Sequence, residues 1–175
     1  MQTINPQQFP VLKTERLILR QPVNGDAKAI CDLRSDEDVN RYIERPKDSS
    51  IEKALAFIEK VNNNFKQNTG YYWAICLKDD PKLIGTACLW NFTDDKTAEI
   101  GYELKPDYQG HGFMNEALQS VLDFSFNVLG LKRLDAFVHR ENLKSIRLLE
   151  RNKFILDTER KDEENSNLNI YILFK

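Results

Sequence analysis

Apolar residues recur along the chain with two different periods. Around 71–77 (YYWAICL), 83–91 (LIGTACLWN) and 97–104 (TAEIGYEL), β-branched, aromatic and small apolar residues crowd into runs too short for helices. Only KDDPK and FTDDK separate them, and such short polar connections predict an antiparallel meander. Elsewhere the spacing is helical. Leu55, Ile58, Val61 and Phe65 form one stripe, opened by a capping box of Ser49 with Glu52 and fraying near Asn62–Asn64 or ending before Gly70. Met114, Ala117, Leu118, Val121, Leu122 and Val128 form another, with Gly130 as its C-cap. At the start, ERLILRQPV reads as a strand that turns at Asn24-Gly25-Asp26 into a helix carrying Ala27, Ile30, Cys31 and Arg34. Towards the end, RLDAFVH reads as a strand, Asn142 precedes a helix with Ile146 and Leu149 inward, and two strands follow near Phe154–Thr158 and Leu168–Phe174. The order β-α-α-β-β-β-α-β-α-β-β predicts an α+β (mixed α/β) architecture, a sheet of about seven strands with helices on both faces.

Composition narrows the class without naming a reaction. With 175 residues and 41% apolar content, residues 1–175 are expected to form a single domain around one core. Basic residues number 25 and acidic ones 27, a near-cancellation that implies no bulk attraction to nucleic acid or anionic membrane. The first residues lack a basic stretch followed by an apolar one, and no window approaches the ~18 uninterrupted apolar residues of a span, so a cytoplasmic location is expected. Cys31, Cys76 and Cys88 form no CxxC, and only two histidines are present to help them, so no metal site is expected.

One stretch carries chemistry. In DYQGHGFMNEAL (107–118), Gly110 and Gly112 stand between a strand and the start of a helix. The unpaired amides of a first helical turn converge there, and the helix dipole adds about half a positive charge. Glycine lets the backbone approach an anion with no Cβ in the way. A Walker A loop would need Gly-Lys-Ser/Thr, and a dinucleotide fingerprint would need a third glycine where Asn115 stands. Taken alone, the pair fits an anion cradle and a tight turn feeding a helix equally well.

The surrounding segments favour the cradle. AEIGYELKPDYQGHGFMNEAL and, downstream, VHRENLKSIRLLERNKF resemble the GNAT superfamily of acetyl-CoA-dependent N-acetyltransferases, in its RimJ/RimL-like branch. The family's loop places Gln or Arg, then Gly, then Gly or Ala at fixed spacing. Gln109, Gly112 and Met114 occupy those places, Met114 departing from the usual small residue. TERLILR (14–20) is similar to the branch's opening strand. The resemblance implies a GNAT fold, a central mostly antiparallel twisted sheet, and acetyl-CoA as co-substrate. Its pyrophosphate would be held by amides from Gln109 through Gly110, His111, Gly112 and Phe113 to Met114. The Leu104 backbone would pair with the pantetheine arm, and Asn142 would contact the cofactor.

Acetyl transfer to nitrogen requires a base for the amine and a hydrogen-bond donor for the departing thiolate. Period-two alternation puts Glu99 and Glu103 on one face of their strand, either able to take the proton directly or through water. The resemblance favours Glu99. Many relatives carry a tyrosine seven residues after the asparagine; here Leu149 stands there, which moves attention to Ser145, three residues after Asn142. Asn142 and Ser145 also fit a helix N-cap and its N3 partner. His111 and His139 are not assigned a catalytic role. Tyr42, Tyr71, Tyr72, Trp73 and Trp90 are candidates for the acceptor pocket or for core. Lys153 replaces a glycine usual in the family, leaving Asn152 to supply the left-handed residue that ends the helix. The expected function is acetyl transfer to a primary amine in a ternary complex, with a protein N-terminal amine as acceptor and a homodimer compatible with the family. A small-molecule or antibiotic acetyltransferase and a catalytically silent CoA-binding module are the alternatives.

Overall fold

The computed structural model describes residues 8–45 and 50–175. Eight strands form one sheet in the order β1-β2-β3-β4-β5-β6-β8-β7, with β1 at Leu12–Lys13, β2 at Leu17–Arg20, β3 at Tyr71–Leu77, β4 at Asp80–Trp90, β5 at Thr97–Leu104, β6 at Arg133–His139, β7 at Ile155–Leu156 and β8 at Leu168–Phe174. Every pairing is antiparallel except β5 with β6. The central meander therefore follows the predicted runs. The strand beyond the seven expected is β1, a two-residue hairpin partner of β2 with too little apolar periodicity to announce itself.

Helices α1 (Ala27–Ser35), α2 (Glu37–Asn40), α3 (Ile51–Lys66), α4 (Phe113–Asp123) and α5 (Leu143–Arg151) complete the fold. The α2 turn was not anticipated; Asp36 caps it by accepting from the Val39 amide at 2.9 Å. The cap of α3 is Ser50, accepting from Lys53 N; Ser49, the cap expected from the sequence, lies outside the described residues. The Asn62–Asn64 run does not stop α3, because Val61 and Phe65 beside it are buried and tertiary packing outweighs weak propensity. After α4 the chain continues through a π-helical turn at Phe124–Val128, and Gly130 at φ +70° ends the helical run.

Burial follows the pleat. One core joins α4 and α5 to the inner face of the sheet: Trp73 and Ile75 of β3, Ile100 and Leu104 of β5, Leu134 and Val138 of β6, with Leu118, Val121 and Leu149 from the helices. A second core packs Ile30 and Leu33 of α1 and Ile58 of α3 against Ala74, Cys76 and Leu83. On that second face the helices cover β3 and β4. Over β5 and β6 lie two irregular segments instead, residues 41–45 and 157–165, tied down by the ion pairs described below. The candidate site forms at β5 and β6, where no helix of the described residues covers this face of the sheet. No helix of the described residues is long and apolar enough to cross a membrane.

Candidate active site

The sheet opens beside β5. Parallel pairing with β6 covers only Thr97, Ala98 and Glu99, opposite Arg133, Leu134 and Asp135. Both strands run further, but β6 continues paired to β8 alone and β5 to β4 alone. Along β5, backbone groups alternate between neighbours. Gly101 and Glu103 carbonyls point at β4, so the Tyr102 and Leu104 backbone groups face the opened edge. The Leu104 carbonyl already accepts from Gln109 Nε2 at 3.0 Å, which leaves its amide as the group available to a ligand.

At the mouth of this gap sits the glycine loop. A 3₁₀ turn at Pro106–Tyr108 consumes the Gln109 amide, which donates to Pro106 O at 3.0 Å. The expected run of cradle amides therefore begins one residue later than the motif does. Gly110 and Gly112 have φ of +81° and +79°, left-handed values that suit glycine. A Cβ on Gly110 would meet nothing within 4 Å, whereas one on Gly112 would come within 3.4 Å of Arg16 Nη2. Gly112 caps α4, and the first intrahelical bond runs from Glu116 N to Gly112 O. Amides from Gly110 to Asn115 have no acceptor among the described residues. Converging donors, a dipole and no side chain in the way make this cradle fit for a pyrophosphate.

The loop is clamped from outside by residues that the sequence reading did not single out. Arg16, just before β2, donates from Nη1 to His111 O at 3.1 Å and from Nε to Glu116 Oε2 at 2.7 Å, with its guanidinium 4.5 Å from the Phe113 ring centre. Glu116 also accepts from the Arg16 amide and the Thr14 hydroxyl. The hairpin end of TERLILR thus locks the first turn of α4, which gives that motif a physical role. Gln109 is held twice, its Oε1 accepting from Lys144 Nζ at 3.1 Å. Phe113 is half-buried and Met114 is buried in the core, while His111 is exposed.

The two acidic candidates have different environments. Glu103 receives both terminal nitrogens of Arg45, at 2.9 and 2.7 Å, and the side chains are only 14% and 10% exposed. A carboxylate so engaged is a structural anion. Glu99 has no such cation among the described residues. Burial raises its carboxyl above the ordinary value, hydrogen bonds from Asn91 and Trp90 oppose the rise, and the neighbouring charge of Asp135 adds to it. Asn91 Nδ2 donates to Glu99 at 2.8 Å. Asp135 is itself neutralised, ion-paired with Arg133 at 2.9 Å and Arg160 at 2.7 Å.

On the other side of the opening, Asn142 caps α5 by accepting from Ser145 N at 3.2 Å. The Ser145 hydroxyl lies 2.8 Å from Tyr102 Oη. Leu149 is buried and supplies no hydroxyl. The helix ends on Lys153 at φ +69°, correcting the expectation for Asn152, which stays at φ −90°. Asn152 is held there by its side chain, which donates to Asn115 Oδ1 and Leu148 O, both at 2.9 Å.

The aromatic candidates divide. Tyr72 and Trp73 are buried, and Tyr71 stacks on Trp73 at 5.6 Å, so these belong to the packing. Tyr42 and Trp90 border the open face. The Tyr42 ring lies 5.2 Å from that of His139, and Trp90 covers Gly101, where a Cβ would come within 2.7 Å of the indole. Residues 40–45 are thus strapped across the site by Arg45–Glu103, by Tyr42 against His139, and by Asn165 donating to Glu44 at 2.9 Å. The cysteines are free, and among the described residues no cluster suited to a metal occurs.

Comparison with known proteins accords with this geometry. The acetyltransferase (GNAT) domain family matches residues 16–155. The N-acetyltransferase YoaA of Bacillus subtilis is 38% identical over 81% of this chain and 80% of its own length. The spermidine N(1)-acetyltransferase of Vibrio cholerae is 27% identical over 80% of this chain and 79% of its own length. Among solved structures, RimL, a ribosomal L7/L12 α-N-protein acetyltransferase in complex with coenzyme A, superposes with a TM-score of 0.83 at 19% identity, over 94% of this chain and 98% of that one. The chain belongs to the GNAT acetyltransferase family and is an acetyl-CoA-dependent N-acetyltransferase.

Proposed function

We propose that this enzyme acetylates a primary amine by direct attack in a ternary complex, with Glu99 as the base and a protein N-terminal α-amine as the acceptor. The observation that carries this reading is the opened edge of β5, flanked on one face by a half-buried carboxylate with no cation on it among the described residues and on the other by the Asn142–Ser145 helix start. Acetyl-CoA supplies the thioester. The amides of Gly110–Asn115 take the pyrophosphate, and the Leu104 amide meets the extended arm as a neighbouring strand would.

The acceptor nitrogen bonds to the acetyl carbon, the carbon–sulfur bond breaks with its electron pair on sulfur, and the nitrogen's proton passes to the Glu99 carboxylate directly or through water. The Ser145 hydroxyl donates a hydrogen bond to the sulfur. Acceptor choice follows from proton affinity. An α-amine with a pKa of about 7.7–8.0 is neutral in roughly one molecule in ten at pH 7, whereas lysine at about 10.4 is neutral in fewer than about one in a thousand. A single carboxylate acting as base therefore has less to do for the first.

Thiol release from acetyl-CoA across N-terminal peptides, polyamines and aminoglycosides tests the proposal. Peptide N-termini should give the highest kcat/KM. A preference for spermidine-like amines would replace the acceptor class, and CoA binding with no turnover on any amine would overturn the transfer reading.

A further inference from the structure

Tyr102 sits on the opened length of β5, and the transfer chemistry above leaves it without a task. Its backbone faces the gap, while its side chain lies on the α4–α5 side of the sheet and brings Oη to 2.8 Å from Ser145 Oγ. No second partner for Oη exists among the described residues. A half-buried hydroxyl packed against the core favours a protein acceptor, and Ser145 Oγ is the one in reach among the described residues. A serine hydroxyl has one hydrogen and two lone pairs. When Tyr102 donates into a lone pair, the serine's own hydrogen is left free to point elsewhere. The capping bond from Ser145 N to Asn142 holds the residue in place at the same time.

We propose that Tyr102 is a positioning residue for acetyl transfer: its hydroxyl donates to Ser145 Oγ and thereby directs the serine proton at the sulfur of the departing thiol. This rests on the assignment of Ser145 to the sulfur. Tyr102 does not itself deliver the proton. Burial pushes its hydroxyl up to about 12, while a thiol titrates near 8.5, so full transfer would run uphill by roughly a thousandfold or more. Orientation needs no ionisation. The arrangement also explains how the fold manages with Leu149 at the helical position: a tyrosine on the strand acts through a serine on the helix.

Tyr102→Phe, Ser145→Ala and the double variant, assayed by thiol release and by calorimetric titration with CoA, test this. Loss of one oriented hydrogen bond predicts a kcat about tenfold lower in Tyr102→Phe. KM for acetyl-CoA and CoA affinity should stay within about twofold, since the cradle is untouched. The double variant should be no slower than Ser145→Ala alone, because the tyrosine has nothing left to orient. Full kcat in Tyr102→Phe, or losses that multiply, would overturn the inference. Ser145→Ala at the wild-type rate would remove the serine's role and this inference with it, while wild-type turnover upholds the transfer reading. A wild-type enzyme that binds CoA and releases no thiol would overturn both.

Discussion

Replacing Glu103 by Gln separates the two carboxylates of the β5 face by what each loses. Glu103 and Arg45 form a two-pronged ion pair with both side chains largely shielded, at 14% and 10% exposure. Removing one charge strands the Arg45 guanidinium, whose remaining side-chain bond among the described residues runs from Nε to Asn40 Oδ1 at 2.5 Å. Breaking a buried pair costs about 3–5 kcal/mol. Glutamine keeps one acceptor oxygen and the site is not sealed from water, so about 2–3 kcal/mol is expected. For a chain of this length that corresponds to a fall in Tm of roughly 4–12 °C. Equilibrium urea unfolding followed by far-UV circular dichroism measures it. Adding Arg45→Met should recover part of the loss, because the stranded charge leaves with it. At temperatures where the variant remains folded, kcat should stay within a few-fold of wild type, with the change appearing in KM for the acceptor through the loosened 40–45 strap. Stability within about 0.5 kcal/mol of wild type would reduce the pair to an ordinary surface contact. Unchanged stability with a collapsed kcat would refute the reasoning and make Glu103 the base.

Glu99→Gln should lower kcat by about 10²–10⁴-fold and abolish the acidic limb of the pH–rate profile; a full-rate variant would remove Glu99 as base. That limb should lie above the usual carboxylate range, because burial raises the Glu99 carboxyl. The stability effect has the opposite sign. A folded pKa above the unfolded one stabilises below the unfolded value and loses that contribution as pH rises through the folded value, so at neutral pH the Gln variant should unfold at equal or higher urea concentration. Gly112→Val places a β-branched residue at φ +79° and pushes a side chain towards Arg16. CoA affinity should fall at least about tenfold by calorimetry, with the circular dichroism spectrum retained; unchanged affinity would sink the cradle.

How much of this was legible depends on the range of the interaction. The meander, α4 and α5 came from local periodicity, because strand alternation and helical stripes are written in neighbouring residues. β5 and β6 match their predicted spans to the residue. The two-residue β1 has no period to read, and of the two ends expected for α3 the structure takes the later, Lys66 before Gly70, because the burial of Val61 and Phe65 is not local. In the site, glycine spacing marked the loop, yet which amides are free required the 3₁₀ turn that uses Gln109 N. Glu99 and Glu103 are equivalent by alternation. What separates them is Arg45, 58 residues away from Glu103 in sequence. Tyr102 was visible within EIGYEL, but its partner Ser145 lies 43 residues downstream on another element. Charge pairing and hydroxyl contacts across the sheet are tertiary facts, and no local pattern encodes them.

The early parting of β5 from β6 has a thermodynamic side as well. A sheet interrupted in its middle carries unmatched peptide groups where most folds have their firmest ladder, and an occupant that matches them behaves as a missing piece of secondary structure. Such an occupant acts on the folding equilibrium. At a concentration one hundred times its dissociation constant it adds about 2.7 kcal/mol to the folded state. The amides of Tyr102 and Leu104 should then exchange with solvent deuterium much more slowly in the CoA complex than in the free protein. Bound donor is thereby expected to lengthen the lifetime of the folded enzyme.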